Sequence, residues 1–162
     1  MDAAQSWTDF NVAMVGATAA LAGLVIVAAS VNIADIVKAP ALVARLAAAI
    51  AGLVLALVGS ATGLMPALPD AAYGGVMIAA AVAVGLFAVQ ASRRIFENRD
   101  PANRLRVLKA VTGFIAPLAY LVGGVLLTAG VAGGTTWFAA GSIIAIMAAL
   151  AVSWVVLVEV LR

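Results

Sequence analysis

Four stretches of this chain carry no charged residue, and their lengths restrict the possible fold more than any other feature. Residues 10–34, 46–69 and 71–92 are 25, 24 and 22 long, and residues 110–158 form a run of 49. About 20 apolar residues cross a hydrocarbon core of roughly 30 Å as a helix. Each shorter run fits one crossing. The long run fits two, with a tight turn at Gly133-Gly134-Thr135-Thr136, where glycines close one helix and a threonine caps the next. The expected fold is all-α, a polytopic transmembrane helix bundle of five spans near 11–31, 43–65, 72–92, 108–131 and 136–159, with residues 1–162 as one transmembrane domain. Composition agrees, since 66% of residues are hydrophobic and only 10% charged, against about 25% charged in a soluble domain. The first span reads as a retained helix and not a cleaved signal peptide. The segment before it carries Asp2 and Asp9 but no Lys or Arg.

With five spans, all nine basic residues fall on one side: Lys38, Arg45, Arg93, Arg94, Arg99, Arg104, Arg106, Lys109 and Arg162. The opposite side holds Asp2, Asp9 and Asp70. The positive-inside rule then predicts the N-terminus outside and the C-terminus in the cytoplasm. Trp7, Phe10, Tyr73, Trp137 and Phe138 cluster at the outer interface, the pattern of an aromatic belt. Pro40 is expected to break the first inner link, Pro66 and Pro69 to shape the first outer one, and Asp70 to cap the third helix. Asp100-Pro101 reads as an N-cap followed by proline at the first helical position. Pro117 lies within the fourth span, where it can kink the helix.

Helices in lipid associate by close approach, which small residues four apart permit. The second span aligns Ala48, Gly52, Ala56 and Ser60, with Gly59 and Gly63 beside them. The fifth aligns Gly141, Ala145, Ala149 and Ser153. The first has Gly16 with Ala20 and Ala19 with Gly23; the third has Ala81 with Gly85. The rows in the second and fifth spans are the candidates for the tightest contacts, and Val156 is placed toward lipid.

No charge lies near the middle of any span, which argues against proton pumps, ion-coupled carriers and intramembrane aspartyl proteases. The mild polar groups Ser60, Thr62, Thr112, Tyr120, Thr128, Ser142 and Ser153 are expected mostly to bond their own backbone one turn back. Asp9 and Asn11 stand at the outer mouth of the first span, and Asn32 and Asp35 at its inner end. Their expected roles are capping, anchoring or polar contact with a partner. Asp35 with Lys38, and Glu159 with Arg162, have ion-pair spacing. Arg93, Arg94, Arg99, Arg104, Arg106 and Lys109 form the dense basic cluster, read as an inner loop that sets topology and attracts anionic lipid.

The chain contains no Cys and no His. Thiolate chemistry, Fe–S clusters, His-ligated metals and Ser-His catalysis are therefore excluded. Gly59-Ser60-Ala61 is similar to an intramembrane serine hydrolase turn but lacks a histidine partner. No phosphate-cradling loop or paired-carboxylate site is present. The expectation is a protein that is not an enzyme, uses no cofactor and binds no nucleic acid.

Ser6-Trp7-Thr8-Asp9-Phe10, Val15-Gly16-Ala17, Ala19-Ala20-Leu21-Ala22-Gly23-Leu24 and Ala28-Ala29-Ser30-Val31-Asn32 carry a resemblance. These residues, about 30 in all, resemble the first helix of a group of small bacterial integral membrane proteins of uncharacterised function. Some of those are labelled automatically as modulators of a membrane-bound AAA protease. The resemblance implies a bacterial inner-membrane protein and carries no catalytic residue. The leading functional expectation is a structural or accessory subunit, packing as a homo-oligomer or into a larger membrane complex and contacting lipid. A homo-oligomeric pore for small solutes and a lipid-binding protein are the alternatives.

Overall fold

The computed structural model describes residues 3–97, 106–131 and 133–160. They form helices α1 (Ala3–Val31), α2 (Ile33–Ile36), α3 (Pro40–Thr62), α4 (Asp70–Glu97), α5 (Arg106–Thr128) and α6 (Gly134–Val160). All except the four-residue α2 are long and apolar enough to cross a membrane. The molecule is a polytopic, all-α bundle of five long helices joined by short links.

Several helix ends fall where local chemistry moves them from the expected positions. Pro40 opens α3 instead of breaking the link before it: it stands at the first helical position with Ala39 as N-cap. Its fixed φ suits that place, and its missing amide would have had no intrahelical acceptor. Asp70 lies in the first turn of α4, and the carbonyl of Pro69 already accepts from the Tyr73 amide at 3.0 Å. The residue α5 ends on is Thr128, not Val131. Gly130 adopts φ +69, the Val131 amide reaches the Leu126 carbonyl at 2.8 Å, and the Gly130 amide reaches that of Leu127 at 3.1 Å. That paired return is a Schellman closure, which favours glycine at the left-handed position. Asp100-Pro101 lies outside the described residues.

The basic segment needs a larger correction. Residues 93–97 are not loop: α4 continues through them, more than a turn past Ser92. Ile95, 3% exposed, buries against the bundle and holds that extra turn in place.

Helices α3 and α6 form the central pair. On one side α4 and α5 pack against them and, most extensively, against each other; on the other side lies α1, with the short α2 at its end. The core follows this asymmetry. Toward the basic end it lies between α1, α2, α3 and α6, around Val25, Ile36, Leu46, Leu53, Ala149 and Val156. Toward the other end it moves between α3, α4, α5 and α6, around Leu55, Tyr73, Met77, Tyr120, Leu127 and Phe138. Val156, 1% exposed, therefore faces α1–α3 rather than lipid; Trp154, 69% exposed, is the outward residue on that turn.

Candidate functional site

Glycines decide how the helices meet. An ideal Cβ on Gly74 of α4 would lie 2.6 Å from the Gly124 carbonyl oxygen of α5, and one on Gly124 would lie 2.9 Å from that of Gly74. The same reciprocity holds at 2.6 Å each way between Gly123 of α5 and Gly134 of α6. These are backbone-to-backbone contacts of the kind that Cα–H···O bonds accompany in membranes. None of these four glycines belongs to the small-residue rows noted in the sequence. Gly123 follows Ala119 by four and Gly134 follows Gly130 by four, while Gly74 and Gly124 have no Gly, Ala or Ser four residues away.

The rows that were evident serve another purpose. Gly59 on α3 and Gly141 on α6 flank the ring of Tyr120, and a Cβ on either would come within 2.8 Å of it. Their missing side chains create a slot for an aromatic ring at the centre of the bundle. The ring stacks on Phe138 at 5.2 Å, and Phe138 meets Tyr73 edge-on at 5.1 Å. The Tyr120 hydroxyl bonds Ser142 Oγ at 2.6 Å, and the Tyr73 hydroxyl donates to the Gly59 carbonyl at 2.8 Å. Tyr73 and Phe138 are thus core residues and not members of an interfacial belt; Trp137, 46% exposed, keeps an outward position. The Tyr73 and Tyr120 hydroxyls each have a hydrogen-bond partner, which offsets the cost of burying them. A gap of about 10 Å³ is walled by Trp7, Asn11, Ser60, Tyr73, Tyr120 and Ser142, so all five long helices reach it. That volume is at the lower limit for a single water.

The other small-residue candidates pack less tightly. A Cβ on Gly52 would sit 3.8 Å from Ala145 Cβ, an ordinary contact. Ala56 and Ala145 meet Ala116 in an all-alanine layer, and Ala149 is fully buried. Gly63 is the C-cap of α3, with Asn11 Nδ2 2.6 Å from where its Cβ would stand. Ser153 turns back to the Ala149 carbonyl at 2.8 Å, as Thr62 does to Val58 and Thr128 to Gly124. Thr18 was not among the polar residues singled out by sequence. It is fully buried in α1 and donates to the Met14 carbonyl at 2.6 Å. Its row, Met14, Thr18, Val25 and Ala29, is the inward face of α1. The signal was there in the spacing, masked by the glycines on the opposite face.

Those opposite residues stand differently from every internal row. Gly16, Ala19, Ala20 and Gly23 are exposed, and nothing lies within 4 Å of a Cβ built on either glycine. Val12, Leu24 and Ile26, all about half exposed or more, border them.

At the basic end the space between α3, α4, α5 and α6 is hollow. A cavity of about 440 Å³ opens there, walled mainly by alanines and by Gly52, Gly113, Pro117 and Ile144. Arg45, Ser92 and Thr112 are its polar lining. Among the interfacial candidates, Asp9 is exposed, and the Asn32 side chain donates to the Ala28 carbonyl at 3.3 Å. Asp35 pairs with Lys38 at 2.7 Å, and Arg94 with Glu97 at 3.1 Å. Both pairs are exposed and worth little to stability. Arg93 is exposed at the end of α4. Arg106 and Lys109 belong to α5, while Arg99, Arg104 and the Glu159–Arg162 pairing lie outside the described residues or side chains.

Among the described residues, no group of three His, Cys, Asp or Glu comes together to hold a metal ion. No protein-family model, no curated protein and no solved structure matches this chain.

Proposed function

We propose that this protein is a non-enzymatic membrane subunit that assembles, with its own copies or within a larger membrane complex, through the outward face of α1. The observation that carries this reading is the contrast among its small-residue rows. Those of α3 and α6 are consumed inside the protomer, around Tyr120 and the alanine layer. The row on α1 is open, bordered by large apolar side chains, on the helix with the least buried span. Lipid tails are as apolar as leucine, so an association between such helices depends on close packing, and a groove of this shape permits it. The hydroxyl groups weigh against the pore alternative, because most bond within their own helix or to each other.

The proposed setting is a bacterial inner membrane, with the N-terminus outside and the C-terminus in the cytoplasm. The one-sided basic residues support that orientation. The openness of the α1 row makes a clean test possible. Leu at both Gly16 and Gly23 meets nothing inside the protomer, so thermal unfolding should stay at the wild-type midpoint while assembly is lost. Single-molecule photobleaching in bilayers, with light scattering of the purified protein, reads the copy number. A double variant that melts and assembles like the wild type would remove the basis for this reading.

A further inference from the structure

We infer that the cavity at the basic end holds one acyl chain of an anionic phospholipid, with the phosphate group at Ser92, Arg45 and Arg93. This inference stands apart from the assembly of α1, which lies on the other side of the α3–α6 pair.

Three independent features point to that occupant. The first is size and depth. At about 440 Å³ the cavity falls in the ~300–1,000 Å³ range of ligand sites. Along α4 its wall runs from Ser92, at the phosphate, down to Val84, which is about 12 Å at 1.5 Å per residue. That is roughly the depth of one leaflet, half of a ~30 Å hydrocarbon core.

The second is access. Ile115 of α5 and Met147 and Ala151 of α6 line the cavity and are also exposed on the outer surface of the bundle. The cavity therefore opens sideways between α5 and α6. Near their other ends these helices are locked by Gly123 against Gly134 and by the Tyr120 slot. Pro117 stands in α5 between the locked and open parts, and it withdraws the amide that would have bonded the Gly113 carbonyl in the cavity wall.

The third is the polar end. Ser92 Oγ is the one buried side-chain polar atom without a hydrogen-bond partner among the described residues. A serine in a helix ordinarily satisfies itself on the carbonyl one turn back, and a buried orphan calls for a missing partner. Ser92 also lines an adjoining groove with Arg93, Phe96, Phe114 and Glu97, whose carboxylate is paired with Arg94. Arg45 lines the cavity itself. With the Ser92 side chain turned about its Cα–Cβ bond toward the cavity, a lipid phosphate lying across it would accept its hydroxyl and face both guanidinium groups, while the chain below it contacts a wall that is apolar except for Thr112.

The test is native mass spectrometry of the full-length protein. It is first equilibrated with vesicles of equal phosphatidylglycerol and phosphatidylcholine, then exchanged through detergent to strip loosely held lipid. The wild type should keep one phosphatidylglycerol per chain, favoured over phosphatidylcholine by about fivefold for each arginine engaged. Ser92→Ala should reduce that retention about tenfold or more. Two variants fill the cavity: Gly113→Leu, where a Cβ stands 3.9 Å from Ala88 Cβ, and Ala148→Leu. Each should lose the retained lipid at an unchanged melting temperature. The Gly16→Leu, Gly23→Leu variant should keep it whatever happens to assembly. Equal retention of the two lipids by the wild type would overturn the inference even if both filling variants failed to fold. So would a folded filling variant that keeps phosphatidylglycerol, or its loss from the α1 variant.

Discussion

Replacing Gly123 with alanine tests how the bundle is held shut. The added methyl would lie 2.6 Å from the Gly134 carbonyl oxygen and 2.7 Å from the Phe138 ring. One neighbour is backbone and the other is stacked on Tyr120, so neither yields by rotating away. Reaching an ordinary contact of 3.4 Å requires α5 and α6 to part locally by about 0.8 Å. A gap of that size forfeits about a quarter to a half of the dispersion attraction between facing atoms. The expected loss is in the overpacking range, about 1–3 kcal/mol. Gly134→Ala creates the mirror-image clash, 2.6 Å from the Gly123 carbonyl oxygen. One separation relieves both, so the double variant should cost little more than the worse single one, about 1 kcal/mol or more below the sum. Gly52→Ala is the control: its Cβ makes an ordinary 3.8 Å contact, and stability should hold within about 0.5 kcal/mol. Equilibrium unfolding in mixed micelles of increasing denaturing-detergent content, followed by circular dichroism, measures all four proteins. Wild-type stability for Gly123→Ala, or simple additivity in the double variant, would show that the two backbones are not in the reciprocal contact described.

Further outcomes follow from other contacts. Tyr120→Phe and Ser142→Ala should each destabilise by about 0.5–1.5 kcal/mol, with a double-mutant cycle showing coupling near 0.6 kcal/mol, because the two hydroxyls bond each other across α5 and α6. Val156→Ala should lower the unfolding midpoint by about 1 kcal/mol equivalent, while Trp154→Ala, on the outward face, changes it by less than about 0.5 kcal/mol. Ala67 holds φ 59 in the link between α3 and α4; Ala67→Gly should raise stability by about 0.5 kcal/mol in the same titration. For the proposed orientation, a cysteine at Ala71 should react with an impermeant reagent outside intact cells and one at Ala39 should not; the opposite pattern would invert the topology.

What the sequence determined by itself is the number of spans and which end is basic. Hydrocarbon rejects charge and unsatisfied backbone alike, so four charge-free stretches, one of them long enough to cross twice, must become five helices whatever their neighbours are. Local chemistry also set most helix ends, although the αL geometry at Gly130 and the helical reading of 93–97 needed the fold. What only the tertiary structure decided is which way each helix faces. In water an amphipathic stripe records the buried side, but lipid is as apolar as a protein core, so both sides of these helices read alike. Hence Val156 turned inward against expectation, and Tyr73 and Phe138 left the interface for the core. Small-residue rows were visible, yet their uses were not: Gly59 and Gly141 make room for the ring of Tyr120, Gly52 makes a loose contact, and Gly16 and Gly23 face outward. The tightest approaches, Gly74 with Gly124 and Gly123 with Gly134, join residues 50 and 11 positions apart. The cavity beside Ser92 is a property of four helices failing to meet, and no single helix carries a trace of it.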